Sequence, residues 1–166
     1  MAYAESGDYT AFTYDVDKIY RRVRTRTVTR LKMLRDGTTG ERTYDELGLT
    51  EMEENDFSII YPHVASEIFV LIQSLCQGVD DAFAWDATEI TFIAELPTYW
   101  DPNKTPIFDL QMMNLFELWI SREWFKQIGV PAIAQEYDLL VDQASKQLRS
   151  SVLSRTVREQ RTYRSL

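Results

Sequence analysis

One cysteine in 166 residues removes any intrachain disulfide framework and any cysteine-based zinc ribbon. The single histidine, His63, leaves a Ser-His-Asp set, a histidine-pair zinc site or an HExxH motif at most partly furnished. With only 6 glycines, the chain has no glycine-rich phosphate loop of either standard spacing. The longest unbroken apolar run, Ile68 to Ile72, is far too short to span a bilayer, so no membrane association is expected. Residues 1–10 are polar and carry Glu5 and Asp8, which does not fit a signal peptide. Repeats, low-complexity tracts and interdomain linkers are also missing. These absences predict a chain that is not an enzyme and needs neither cofactor nor metal.

What the chain does have is segregated charge. Its 18 basic and 26 acidic residues give a net charge of −8, yet they are unevenly spread. Residues 1–17 carry −4, residues 18–35 carry +8, residues 36–145 carry −17 and residues 146–166 carry +5. The first basic run comprises Lys18, Arg21, Arg22, Arg24, Arg26, Arg30, Lys32 and Arg35 without an acid, and the last holds Lys146, Arg149, Arg155, Arg158, Arg161 and Arg164 against Glu159. Such runs can be solvated helix faces. Two of them on an acidic chain point instead to relief by an acidic surface or by phosphate. That acidic surface is either the chain's own middle or a neighbouring copy. Thirteen of the basic residues are Arg, which suits fixed bidentate pairing.

Pattern and punctuation predict a mainly α fold: about four helices in a bundle, with a short β element near 88–96. Residues 1–12 read as a loose lead-in. Asp15 caps a helix from Val16 whose inner face is Ile19, Val23, Thr27, Leu31 and Leu34, although the Arg/Thr alternation from Val23 to Leu31 leaves a strand open there. Thr50 and Glu53 have capping-box spacing, and Phe57, Ile60, Val64, Ile68, Leu71 and Leu75 continue at helical spacing. Pro62 predicts a kink or a split near Tyr61. Thr88 to Leu96 looks extended. Thr105 and Pro106 then open a helix to about Ile128, with Thr105 as its cap. It is apolar almost all round, through Ile107, Phe108, Leu110, Met113, Phe116, Leu118, Trp119, Ile120, Trp124 and Phe125, which marks it as central and buried by the domain or by another subunit. Gly129 ends it, and Pro131 opens a last helix with Ile133, Tyr137, Leu140, Val141, Ala144 and Leu148 inward.

Each candidate for chemistry has a plainer role. His63 sits by the proline, and Cys76 lies in an apolar helical stretch without a base, as a buried inert thiol would. Asp80-Asp81 suits a turn. Glu51, Glu53, Glu54 and Asp56 complement a helix start without needing a cation. Phe116, Trp119, Trp124 and Phe125 read as core or interface aromatics rather than a stacking platform. The tail is more informative: Arg155, Arg158, Arg161 and Arg164 recur at every third residue, with few apolar neighbours on which to fold. The expectation is a core over residues 1–149 and a docking tail over 150–166, extended or helical, that orders against a partner.

The run I-T-F-I-A-E-L-P-T-Y-W-D-P-N (90–103), the helix ending E-L-W-I-S-R-E-W-F-K-Q-I-G, and the helix through Tyr137 into the arginine tail resemble helical head–tail connector proteins of tailed bacteriophages. They are most like those of Bacteroidetes-infecting crAss-like phages. The likeness covers roughly residues 45 to 164 as an order of elements. It implies a non-enzymatic structural subunit of the virion, at the head–tail interface and assembled in the host cytoplasm. It also implies a homo-oligomeric, dodecameric neck ring that contacts the portal protein and other neck or tail ring proteins and continues the DNA channel, passing genomic DNA without sequence specificity. Under that reading Arg155, Arg158, Arg161 and Arg164 dock to a neighbour or portal, and Arg22, Arg24, Arg26 and Arg30 form a second interface. The alternative is a small helical nucleic-acid-binding or regulatory module using the same arginines on phosphate.

Overall fold

The computed structural model describes residues 9–36, 52–76, 82–97 and 100–153. Among these described residues there are four helices and a three-stranded antiparallel sheet, so the fold is mainly α with a small β element. In chain order they are β1 (Tyr9–Asp15), α1 (Val16–Asp36), α2 (Glu54–Cys76), β2 (Ala82–Trp85), β3 (Glu89–Glu95), a 3-10 turn (Pro102–Lys104), α3 (Thr105–Gln127) and α4 (Pro131–Leu153).

The predicted strand lies at the centre of the sheet, whose order is β1-β3-β2. Both of its neighbours were missed. The segment read as a lead-in, residues 1–12, holds the first four residues of β1, a strand in which Phe12 and Tyr14 face inward and Ala11 and Thr13 face out. That period-2 alternation is the ordinary mark of a half-buried strand. Strand β2 is only four residues long and pairs Phe83 with Phe92 and Trp85 with Ile90. At the turn into β3, Asp86 accepts from the backbone N–H and hydroxyl of Thr88 (2.7 Å each) and from the N–H of Glu89 (2.9 Å). These donors, the Thr88 hydroxyl first, hold the Asp86 carboxyl below its ordinary range.

The Arg/Thr stretch is helical, as favoured. Asp15 caps α1 by accepting from the Lys18 N–H at 2.7 Å. Thr25, Thr27 and Thr29 each donate to the carbonyl four residues earlier, at 2.8, 3.0 and 2.8 Å, which removes the polar reason for those threonines to leave the helix. Ile19, Val23, Thr27 and Leu31 are buried on one face, as the spacing predicts.

α2 starts at Glu54, whereas the capping box placed its first turn after Thr50, which lies outside the described residues. Met52 and Glu53 precede the helix, and the Glu53 carbonyl takes the first helical hydrogen bond, from Phe57 N–H at 3.1 Å. α2 runs unbroken through Pro62, so the split near Tyr61 does not occur. Burial of Ile60, Tyr61, Val64, Ala65 and Ile68 on either side of the proline holds the two halves on one core. By length and composition α2 is apolar enough to cross a membrane; in this fold its apolar side packs on α3 and the sheet.

α3 is central, packed against α1, α2 and α4. Its start differs from expectation: Asp101 caps the 3-10 turn by accepting from Asn103 N–H at 3.0 Å, and Thr105 is already helical. Ile107 and Leu110 are exposed, so the apolar girdle is incomplete at that end. At the other end Gly129 N–H donates to the Lys126 carbonyl (3.2 Å) and Val130 N–H to the Phe125 carbonyl (2.9 Å). With Gly129 at φ 76°, this is a Schellman termination, sealed by the buried pair Val130 and Phe125. A Cβ at Gly129 would meet nothing within 4 Å, so the cost of Gly129→Ala is purely conformational, about 1–2 kcal/mol. Urea unfolding is expected to show that loss with an unchanged m-value.

α4 returns along α3 with Ile133, Tyr137, Val141, Ala144 and Leu148 inward; Leu140, expected among them, is exposed. It continues past residue 149 to Leu153, and Val152 is buried. Aromatics knit the layers together: Phe92 lies between Phe83 (5.5 Å), Tyr14 (6.0 Å) and Phe116 (6.1 Å), and Phe12 meets Phe108 at 4.7 Å.

Candidate functional site

Arg22, Arg26 and Arg30 recur at every fourth position, so α1 presents them as one stripe. Packing of α1 on α3 brings that stripe over Glu117, whose side chain is only 7% exposed. Arg26 Nη2 lies 3.3 Å from Glu117 Oε2 and 3.3 Å from Asn114 Oδ1. Arg22 Nε pairs with Glu117 Oε1, as an ion pair outside hydrogen-bond alignment. One turn on, Arg30 reaches Glu136 of α4. A carboxylate this deep needs paired cations, and two guanidinium groups supply them. Three of the four arginines assigned to a second docking interface are thus engaged by the chain's own acidic middle. Arg24, the fourth, is exposed and also interacts within the chain.

Beside this cluster lies a groove of about 480 Å³ lined by Arg21, Arg22, Thr25, Arg26, Thr29 and Glu117. Its hydroxyls already donate to α1 carbonyls, and Arg21 meets Asp17 at 3.5 Å. The polar groups that line the groove are therefore already paired within the chain. Tyr137 of α4 is buried: burial raises its phenol above the ordinary value, while Arg26 and Arg30 pull it back. At the sheet end Tyr14 donates to Asp109 Oδ1 at 3.0 Å, and burial, then the Asp109 charge, hold that phenol far above its usual range.

Phe116, Trp124 and Phe125 are buried, as expected for core aromatics. Trp119 is only half-buried, with the Arg122 guanidinium 5.0 Å from its ring centre and Arg122 in turn 3.3 Å from Asp138. His63 is exposed on α2, and Cys76 is half-buried rather than fully buried. Among the described residues, no group of three His, Cys, Asp or Glu side chains could hold a metal. Asp80-Asp81, Glu51 and the four tail arginines, Arg155, Arg158, Arg161 and Arg164, lie outside the described residues.

Glu117 is the functional-looking residue that the charge pattern missed. Its signal was an acid inside a helix otherwise apolar at that level, between Phe116 and Leu118. A charge on a buried face demands a partner, and the two basic runs, residues 18–35 and 146–166, were the candidates; packing selects the first. Compared with known proteins, the chain matches no family, no curated protein and no solved structure.

Proposed function

We propose that this chain is a structural subunit of a phage head–tail connector or neck ring, docking to portal and to adjacent neck proteins around the DNA channel. The observation that carries this reading is the order of elements. An extended strand at 89–95, the W-D-P-N turn, a long central helix and a return helix leading towards the arginine tail follow one another as the connector resemblance implies. Two further observations support it. Exposed Ile59 and Val70 on α2, and Leu139, Leu140 and Leu153 on α4, give apolar contact points on separate helices, as a subunit with two different neighbours requires. The arginine stripe of α1 is answered inside the chain, which narrows the docking charge to the tail, where four Arg face one Glu.

The test is assembly. Full-length chain mixed with portal protein is expected to give a discrete ring complex by electron microscopy and native mass measurement. Changing Arg155, Arg158, Arg161 and Arg164 to Glu is expected to abolish it while leaving the thermal midpoint of the monomer unchanged. A wild-type chain that stays monomeric and ignores portal would sink the proposal. Duplex-DNA affinity falling steeply with salt, with a slope set by those arginines, would favour the phosphate-binding alternative.

A further inference from the structure

The sheet has two unlike faces. Its inner face carries Phe12, Tyr14, Ile90, Phe92 and Ala94, all buried. Its outer face, exposed or half-exposed along the described residues, is laid out in cross-strand rows, where Tyr9 and Glu95 also hold contacts within the chain. Tyr9 stands opposite Glu95, with its hydroxyl 3.3 Å from Glu95 Oε2. Next come Ala11, Ile93 and Ala82, then Thr13, Thr91 and Ala84, and finally Asp15 opposite Glu89. The two middle rows hold nothing larger than threonine apart from Ile93, itself 37% exposed, so another chain can lie close to the backbone there. Both end rows are acidic, and none of the three strands contains a basic residue.

On β3 the outward residues are Glu89, Thr91, Ile93 and Glu95, which puts two carboxylates six residues, or about 20 Å, apart. The tail has the complementary spacing. In extended chain, Arg155, Val157, Glu159 and Arg161 share one side, and Arg158, Gln160, Thr162 and Arg164 share the other. Either side presents two arginines six residues apart. The placement also fits. α3 and α4 have 23 residues each and are joined by the turn at Gly129, so Leu153 returns level with Thr105, near the end where Phe108 meets Phe12 of the sheet. The 13 residues after Leu153 reach about 40 Å when extended.

We infer that the outer face of the three-stranded sheet is the receptor for the arginine tail of a neighbouring copy, residues 155–164 lying along β3 with arginines over Glu89 and Glu95. This rests on the ring reading, because copies related by rotation about an axis along the bundle place one subunit's tail at the height of the next subunit's sheet. It supplies that reading with its intersubunit contact: the tail's charges meet the acidic rows, and Val157 covers the Ala11, Ile93, Ala82 row.

The experiment uses full-length chain carrying Cys76→Ser. Chains with Ile93→Cys are mixed with differently tagged chains carrying Val157→Cys and oxidised. The expected product is a disulfide-linked heterodimer of the two tags. Adding Glu89→Arg and Glu95→Arg to the first chain is expected to reduce it about tenfold, and pairing that chain with one carrying Arg155→Glu and Arg161→Glu to restore it. Because the substituted sheet residues point outward, unchanged thermal midpoints confirm that each variant is folded. No heterodimer overturns the inference, as does a link that forms only when both cysteines share one chain, which means the tail folds back on its own sheet. Portal binding without the cross-link leaves the neck reading standing and sinks this one; the cross-link without portal binding upholds this contact between copies and counts only against docking to portal.

Discussion

Phe92→Ala is expected to cost about 3–5 kcal/mol, a large part of the stability of a domain this size. Phe92 is fully buried on the central strand, and its ring has neighbours in four separate elements besides its own. Phe83 lies at 5.5 Å on β2, Tyr14 at 6.0 Å on β1, Phe69 at 6.2 Å on α2 and Phe116 at 6.1 Å on α3. Truncation leaves a cavity bounded by four rings, none of which can move inward without leaving its own contacts. The aromatic pairs contribute beyond their buried area, by about 0.5–1.5 kcal/mol each. Urea and thermal unfolding read the effect as a midpoint about 10 °C lower or more. Phe92→Leu, which refills most of the volume, should recover over half of it. A loss under about 1 kcal/mol for the alanine variant would mean that the sheet is not seated on the helices through this ring.

Glu117→Ala is expected to cost about 2–3 kcal/mol, through the arginines it leaves behind. Removing one member of a buried charge cluster strands the others, at 3–5 kcal/mol when fully buried. Here the Arg22 and Arg26 side chains keep 42% and 32% of their exposure, so water offsets part of the penalty and the lower figure applies. Arg22→Ala alone should cost less than Glu117→Ala, because Arg26 still neutralises the carboxylate. Replacing all three by leucine should come within about 1 kcal/mol of wild type, since an apolar cluster of similar volume does the same packing without desolvating charge. Those inequalities, measured by chemical denaturation at low salt, check the geometry. Equal costs for the two single substitutions would contradict it.

How much of this was legible in the sequence differs from element to element. α1, α3 and α4 were readable because each carries its own punctuation: Asp15 before α1, Pro106 in the first turn of α3, Gly129 and Pro131 between α3 and α4. β3 was readable from its composition. β2 was not, because Ala82–Trp85 is too short to show a period and becomes a strand only by pairing with β3. β1 was missed for a different reason. Its alternation is present in Phe12, Tyr14 and Val16, but Asp15 also caps the helix that follows, so the last residue of the strand carries a helix-start signal. The α2 start was misplaced because Thr50 and Glu53 have the spacing of a capping box while the helix takes Glu53 as its boundary. For the charged site, the sequence displayed the arginines but not their partners. Glu117 lies 91 residues beyond Arg26, and only packing puts the two together.

The strand order β1-β3-β2 also sets a timetable. β2 and β3 are joined by a short turn, and α3 and α4 by another, so each pair can form as soon as its own residues are free to fold. β1 cannot: Asp15 finds its register partner at Glu89, across a span of chain containing both α1 and α2. Closing so long a loop carries an entropy cost that is repaid only once Phe12 and Tyr14 reach Phe92, Phe108 and Phe116. During synthesis, the first strand to leave the ribosome therefore waits for the helices behind it, and is among the last pieces to be fixed.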